Sequence, residues 1–126
     1  MHSGADTQTA YRRWIGRWFI AVALLHGIAA FFIYARPLGA MAAAGVLATA
    51  DDYSPRAAAY WFLAFAPMLA VTGVLIDAME ARRIPVPRIA ALLLLLTLAG
   101  MVAVMPANGA WLLFPPVIAL LLRRHR

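Results

Sequence analysis

Apolar positions run along this chain in four long blocks, separated by short stretches of arginine, proline and glycine. The first block, residues 14–34, matches the hydrocarbon core of a bilayer, about 30 Å at 1.5 Å of rise per residue. Trp14, Trp18 and Tyr34 stand near its two ends, where amphipathic rings favour membrane interfaces. A cleaved signal peptide would carry a shorter apolar region and then a small-residue cleavage site. Here the run continues through Phe31, Phe32 and Ile33, which predicts a retained helix. Further blocks cover residues 56–77, 89–105 and 108–122. None alternates as a barrel strand does, so helices are the form in which these segments satisfy their backbone in lipid. The pattern predicts an all-α fold, an integral membrane, antiparallel four-helix bundle over residues 14–126, behind a polar cytoplasmic tail at 1–13.

The connections add detail. Arg36-Pro37 is predicted to end the first helix, because proline disfavours helix in the residue before it. Residues 38–50 are too short to span a membrane and too apolar for a free loop, which predicts a short extra helix in the first outer loop. Ser54 then reads as an N-cap, with Pro55 at the first helical position. The stretch 80–88, with Glu80, Arg82, Arg83, Arg88, Pro85 and Pro87, reads as a charged, proline-broken loop. Pro106-Ala107-Asn108-Gly109 reads as a tight turn in which Asn and Gly adopt positive φ.

Composition supports a lipid-embedded chain. Of 126 residues, 65% are hydrophobic and 13% charged, with a mean hydropathy of +0.82, far from the balance of a soluble domain. There is no cysteine, which excludes disulfides, thiolate metal sites and Cys catalysis. The net charge of +6 comes from eleven arginines against five acidic residues. The arginines cluster at the ends of apolar blocks and form no continuous basic face, so nucleic acid is not the expected partner. In a four-span arrangement nine of them (Arg12, Arg13, Arg17, Arg82, Arg83, Arg88, Arg123, Arg124 and Arg126) fall on one side, and Arg36 and Arg56 on the other. That bias predicts cytoplasmic termini in a bacterial inner membrane.

Candidate chemistry centres on His26, an ionisable residue near the middle of the first block, where such groups are costly. Phe19, Ala23 and Ala30 share its helix face. Two readings stand side by side: an imidazole that binds a ligand or handles protons, and a hydrogen bond that holds helices together. Proline inside a helix frees the carbonyl four residues earlier. Kinks at Pro67, Pro115 and Pro116 are expected to free Leu63, Trp111 and Leu112, at the depth of His26 and the Thr97 hydroxyl. With Tyr60, these residues form a candidate pocket opening outward. Arg17 with Asp77, and Arg56 with Asp52, are expected as interfacial ion pairs that fix helix order. Ala59, Ala66, Ala70 and Gly73 form a small-residue stripe suited to close helix packing. One intramembrane histidine per chain does not make a bis-histidine haem site, which would need two copies of His26 from a symmetric dimer, and haem is not expected. No metal-ligand cluster, catalytic set or phosphate-binding loop stands out, so no metal or cofactor is expected.

The chain resembles a family of small, uncharacterised bacterial membrane proteins, a domain of unknown function with four predicted spans. The matching features are His26-Gly27, the segment Pro55–Phe62, Pro85-x-Pro87 and the run from Met105 through Trp111 to Pro115. A looser likeness to four-span proteins of the DoxX type rests on topology alone. The resemblance implies a fold and no catalytic residues. The expected function is therefore non-enzymatic: binding of a small amphipathic or lipid-like ligand near His26, or service as an accessory subunit. Expected partners are the bilayer, a small hydrophobic ligand, and a second copy or a membrane-complex subunit. The alternative is a small proton-coupled multidrug-type exporter working as a dimer. Such exporters carry a glutamate in the first span, a place that His26 would have to take.

Overall fold

A computed structural model describes residues 12–51 and 53–123. Five α-helices and one 3-10 segment, with no strand among the described residues, follow in the order α1 (Ile15–Ile33), α2 (Ala35–Ala43), α3 (Pro55–Ala81), α4 (Arg88–Val104), the 3-10 segment (Gly109–Leu113) and α5 (Phe114–Leu122). The short helix expected in the first connection is α2. It begins directly after Tyr34, so Pro37 does not end α1 but sits in the first turn of α2, where a missing N–H costs nothing. Ser54 caps α3 by accepting from the Ala57 N–H at 3.1 Å, with Pro55 behind it.

Two boundaries differ from expectation. α3 continues through Asp77 and Glu80 to Ala81, so Glu80 is helical and not part of a loop. Pro115 and Pro116 kink no helix. They occupy the first turn of α5, where the 3-10 segment gives way to α-helix. Pro67 does lie inside α3, which runs on through it. Asn108 and Gly109 take no positive φ: Asn108 is extended, at φ −138°, and its side chain caps the 3-10 segment through the Ala110 N–H at 2.7 Å. Positive φ falls instead at Gly45, Val46, Ala48, Tyr53 and Arg83.

The helices pack in two antiparallel pairs. α1 lies along α3, and α4 along α5. The pairs join where α1 meets α5 and the 3-10 segment, while α4 makes no comparable approach to α1 or α3. A closed four-helix bundle is therefore replaced by two pairs hinged on one seam. This arrangement gathers Arg12, Arg13, Arg17, Arg82, Arg83, Arg88 and Arg123 at one end and leaves Arg36 and Arg56 at the other. α1 and α3 are long and apolar enough to cross a membrane, whereas α4 and the stretch Gly109–Leu122 are apolar but shorter.

The α1–α3 seam uses the small residues as expected. A Cβ on Gly16 would run into the backbone of Asp77 and lie 2.6 Å from the Gly73 carbonyl oxygen. One on Gly73 would meet the Gly16 carbonyl at 2.8 Å. Only glycine permits that crossing. Farther along, a Cβ on Gly27 would meet the Ala66 Cβ at an ordinary 3.6 Å, and Ala59 is fully buried.

Candidate functional site: a cavity beside His26

The gap between the two helix pairs encloses a cavity of about 770 Å³, within the range of small-molecule sites. α1 contributes Val22, Leu25, His26 and Tyr34, and α3 contributes Trp61, Phe62, Phe65 and Leu69. Gly100, Met101 and Val104 of α4, Met105 just after it and the segment around the 3-10 turn complete the wall. These are the halves of the helices farthest from the arginine-rich end. Apolar side chains dominate, and the polar side-chain groups come from His26, Tyr34, Trp61 and Asn108.

His26 faces inward. Its Nε2 lies 2.8 Å from the Phe62 carbonyl oxygen. A carbonyl only accepts, so Nε2 carries the hydrogen. The acceptor is not the predicted Leu63 carbonyl but its neighbour, in the turn that precedes Pro67. The imidazole stacks on the Phe62 ring at 4.1 Å and meets Phe65 edge-on at 5.5 Å. Tyr34 rests on the same Phe62 ring at 5.1 Å. Two aromatic contacts thus hold the imidazole plane in place, and Tyr34 backs the Phe62 ring.

Of the six residues expected around the pocket, His26 and Leu112 line the cavity and the other four do not. The Thr97 hydroxyl donates to Leu93 O of its own helix at 2.8 Å, about one turn below Gly100. Tyr60 and Leu63 fall on the far side of α3 from Trp61, Phe62, Phe65 and Leu69. Tyr60 is half exposed against Trp61. Trp111 turns outward, and its indole donates to Pro106 O at 2.8 Å. The Leu112 carbonyl is used, though not by His26: Trp18 Nε1 donates to it at 2.7 Å, tying α1 to the 3-10 segment. Asn108 emerges as a cavity residue that sequence reasoning took for a turn. Its amide also donates to the carbonyls of Met101 at 3.1 Å and Met105 at 2.6 Å, closing the end of α4.

A second polar cluster lies at the arginine-rich end. Asp77 pairs with Arg17, as expected, at 3.5 Å through Oδ1, and more closely with Arg13 at 2.7 Å through Oδ2. The Arg17 contact is too long and misaligned for a hydrogen bond, so buried Oδ1 has no hydrogen-bond donor among the described residues. Glu80 is 1% exposed. Its carboxylate accepts from Gly16 N–H at 2.9 Å, from Ile15 N–H at 3.4 Å and from Arg123 Nη1 at 2.7 Å. It supplies the cap that α1 lacks in its own sequence, at the helix end where negative charge is favourable. Arg123 Nη2 also donates to Arg12 O at 2.7 Å. At the opposite end Arg56 donates to Thr49 O at 3.0 Å, while its expected partner Asp52 lies outside the described residues. Residues 1–11 of the expected tail lie outside them too. Among the described residues no three His, Cys, Asp or Glu side chains gather to hold a metal ion.

The architecture defines a small, all-helical protein with an apolar cavity between two helix pairs. The chain belongs to a family of unknown function, DUF6463, whose model matches residues 10–126. No curated protein and no solved structure matches it.

Proposed function

We propose that this chain is a non-enzymatic integral protein of the inner membrane that holds a small amphipathic or lipid-like ligand in the cavity beside His26. It crosses the bilayer four times with both termini cytoplasmic, which puts the cavity in the outer half. The membrane placement is supported by exposure. Only 33% and 22% of the most apolar windows of α1 and α3 are buried, whereas the core helix of a soluble domain would be mostly covered. Leu24 is 66% exposed and Phe32 80%. Water is a poor solvent for such a surface. α4 spans about 25 Å, a length that a bilayer accommodates by local thinning. The gathering of arginines at one end supports the orientation.

The observation that carries the ligand reading is the cavity itself: large, apolar, and furnished with one oriented imidazole. Native mass spectrometry of the full chain released from lipid nanodiscs tests it. A small molecule retained by the wild type and lost from Met101→Trp, which fills the cavity, is the expected result. A wild type that retains nothing overturns the reading. Reporter fusions at residue 126 and within 38–50 should report opposite compartments, and agreement between them would refute the topology.

A further inference from the structure

If the cavity holds a ligand, as proposed above, the state of His26 bears on the chemistry of that ligand's polar end, and the inference rests on the ligand-binding reading. His26 has two ring nitrogens. Nε2 is committed as a donor to the Phe62 carbonyl at 2.8 Å. Nδ1 has no hydrogen-bond partner among the described residues. It is not sealed in the interior either, because the one buried side-chain atom without a partner there is Asp77 Oδ1. His26 thus lines the cavity with one nitrogen tied to the wall and the other neither partnered nor sealed among the described residues.

A neutral imidazole carries one N–H, and that hydrogen is already used on Nε2. Nδ1 is then a lone pair, an acceptor. The other polar side chains in the cavity wall are Tyr34, Trp61 and Asn108. Asn108 is occupied: its amide nitrogen serves two carbonyls and its oxygen accepts from Ala110.

We infer that the cavity takes an amphiphile whose polar end donates a hydrogen bond to Nδ1 of His26: a long-chain alcohol or similar hydroxyl-bearing molecule, in preference to an ether, ketone or carboxylate. The Phe62 carbonyl is the specificity device, because it selects the tautomer. Phe62 and Phe65 hold the ring so that the lone pair keeps its direction.

The probes are 1-dodecanol, dodecyl methyl ether and laurate, added to the full chain in nanodiscs with histidine labelled by nitrogen-15. The expected result is that the ether binds about five- to tenfold more weakly than the alcohol, the factor that one lost hydrogen bond gives. The Nδ1 resonance, assigned by its loss in His26→Leu, should lie in the unprotonated range and move with the alcohol only. In His26→Leu the alcohol should bind no better than the ether. Equal binding of alcohol and ether by the wild type overturns the donor inference and leaves the cavity reading standing. No binding of any probe overturns the cavity reading itself. Tightest binding of laurate, with a protonated Nδ1, shows an anion site and overturns the inference. The wild-type series decides the matter even if His26→Leu does not fold.

Discussion

At the Gly16 end, α1 and α3 touch backbone to backbone, and Arg13, Arg17, Asp77, Glu80 and Arg123 are drawn into a shared cluster. At the His26 end the same two helices are separated from α4 by open space, and one imidazole is held by a single hydrogen bond and a stack of rings. The first end closes because glycine lets the chains meet and because Glu80 satisfies N–H groups that have no other acceptor. The second end stays open because α4 packs on α5 and the 3-10 segment and not on α1 or α3. One region is thus specified by polar pairing at contact distance, and the other by bulky apolar side chains that leave a volume unfilled. Binding capacity is to be sought where packing is incomplete, and stability where it is tightest.

Mutations can break this contrast. The largest effect is expected at Glu80→Ala, which removes the side-chain acceptor of the Ile15 and Gly16 N–H groups and the carboxylate that pairs with Arg123. Unfolding in mixed dodecyl sulfate micelles should show a loss of about 3–5 kcal/mol. Glu80→Gln should recover part of it, since an amide oxygen still accepts. Gly16→Ala comes next, at about 3 kcal/mol, because the added methyl meets backbone that cannot swing away. The matched change at the open end, Gly27→Ala, should stay within about 1 kcal/mol. Equal losses at the two glycines would erase the difference between the ends. Met101→Trp should leave stability unchanged or raise it by about 0.5–1 kcal/mol while abolishing ligand retention. Arg17→Ala should cost less than about 0.5 kcal/mol in the same titration, since that side chain is 64% exposed and its ion pair is long.

The sequence disclosed the helices more fully than the site. Ser54 and Pro55 announced the start of α3, and the glycine and alanine stripe announced its seam with α1, because both signals are local. The Arg17–Asp77 pair followed from helix order alone. Glu80 was missed because it stands beside arginines and prolines that read as loop. Its burial depends on the start of α1 arriving from 65 residues away. The pocket residues were inferred from depth along each helix, and depth does not fix which way a residue faces. His26 was placed correctly because small neighbours marked its face as a packed one. Tyr60 and Leu63 share its depth and look away. Thr97 needs no partner across the bundle, since a threonine hydroxyl is satisfied by its own preceding turn. Leu112 lines the cavity, but its carbonyl serves Trp18, a contact not foreseen.

The Arg123 contact also has a bearing on how the chain is made. Glu80 meets α1 as soon as α3 has emerged from synthesis, but its strongest donor comes only after the final turn of α5. Until then the buried carboxylate has backbone N–H groups and lacks the Arg123 counter-charge, and the Arg12 carbonyl has no guanidinium from that residue. The start of α1 is therefore completed by a residue translated 111 positions after Arg12. A chain cut short before Arg123 would keep its cavity walls yet carry a poorly compensated charge at the base of its best-packed seam.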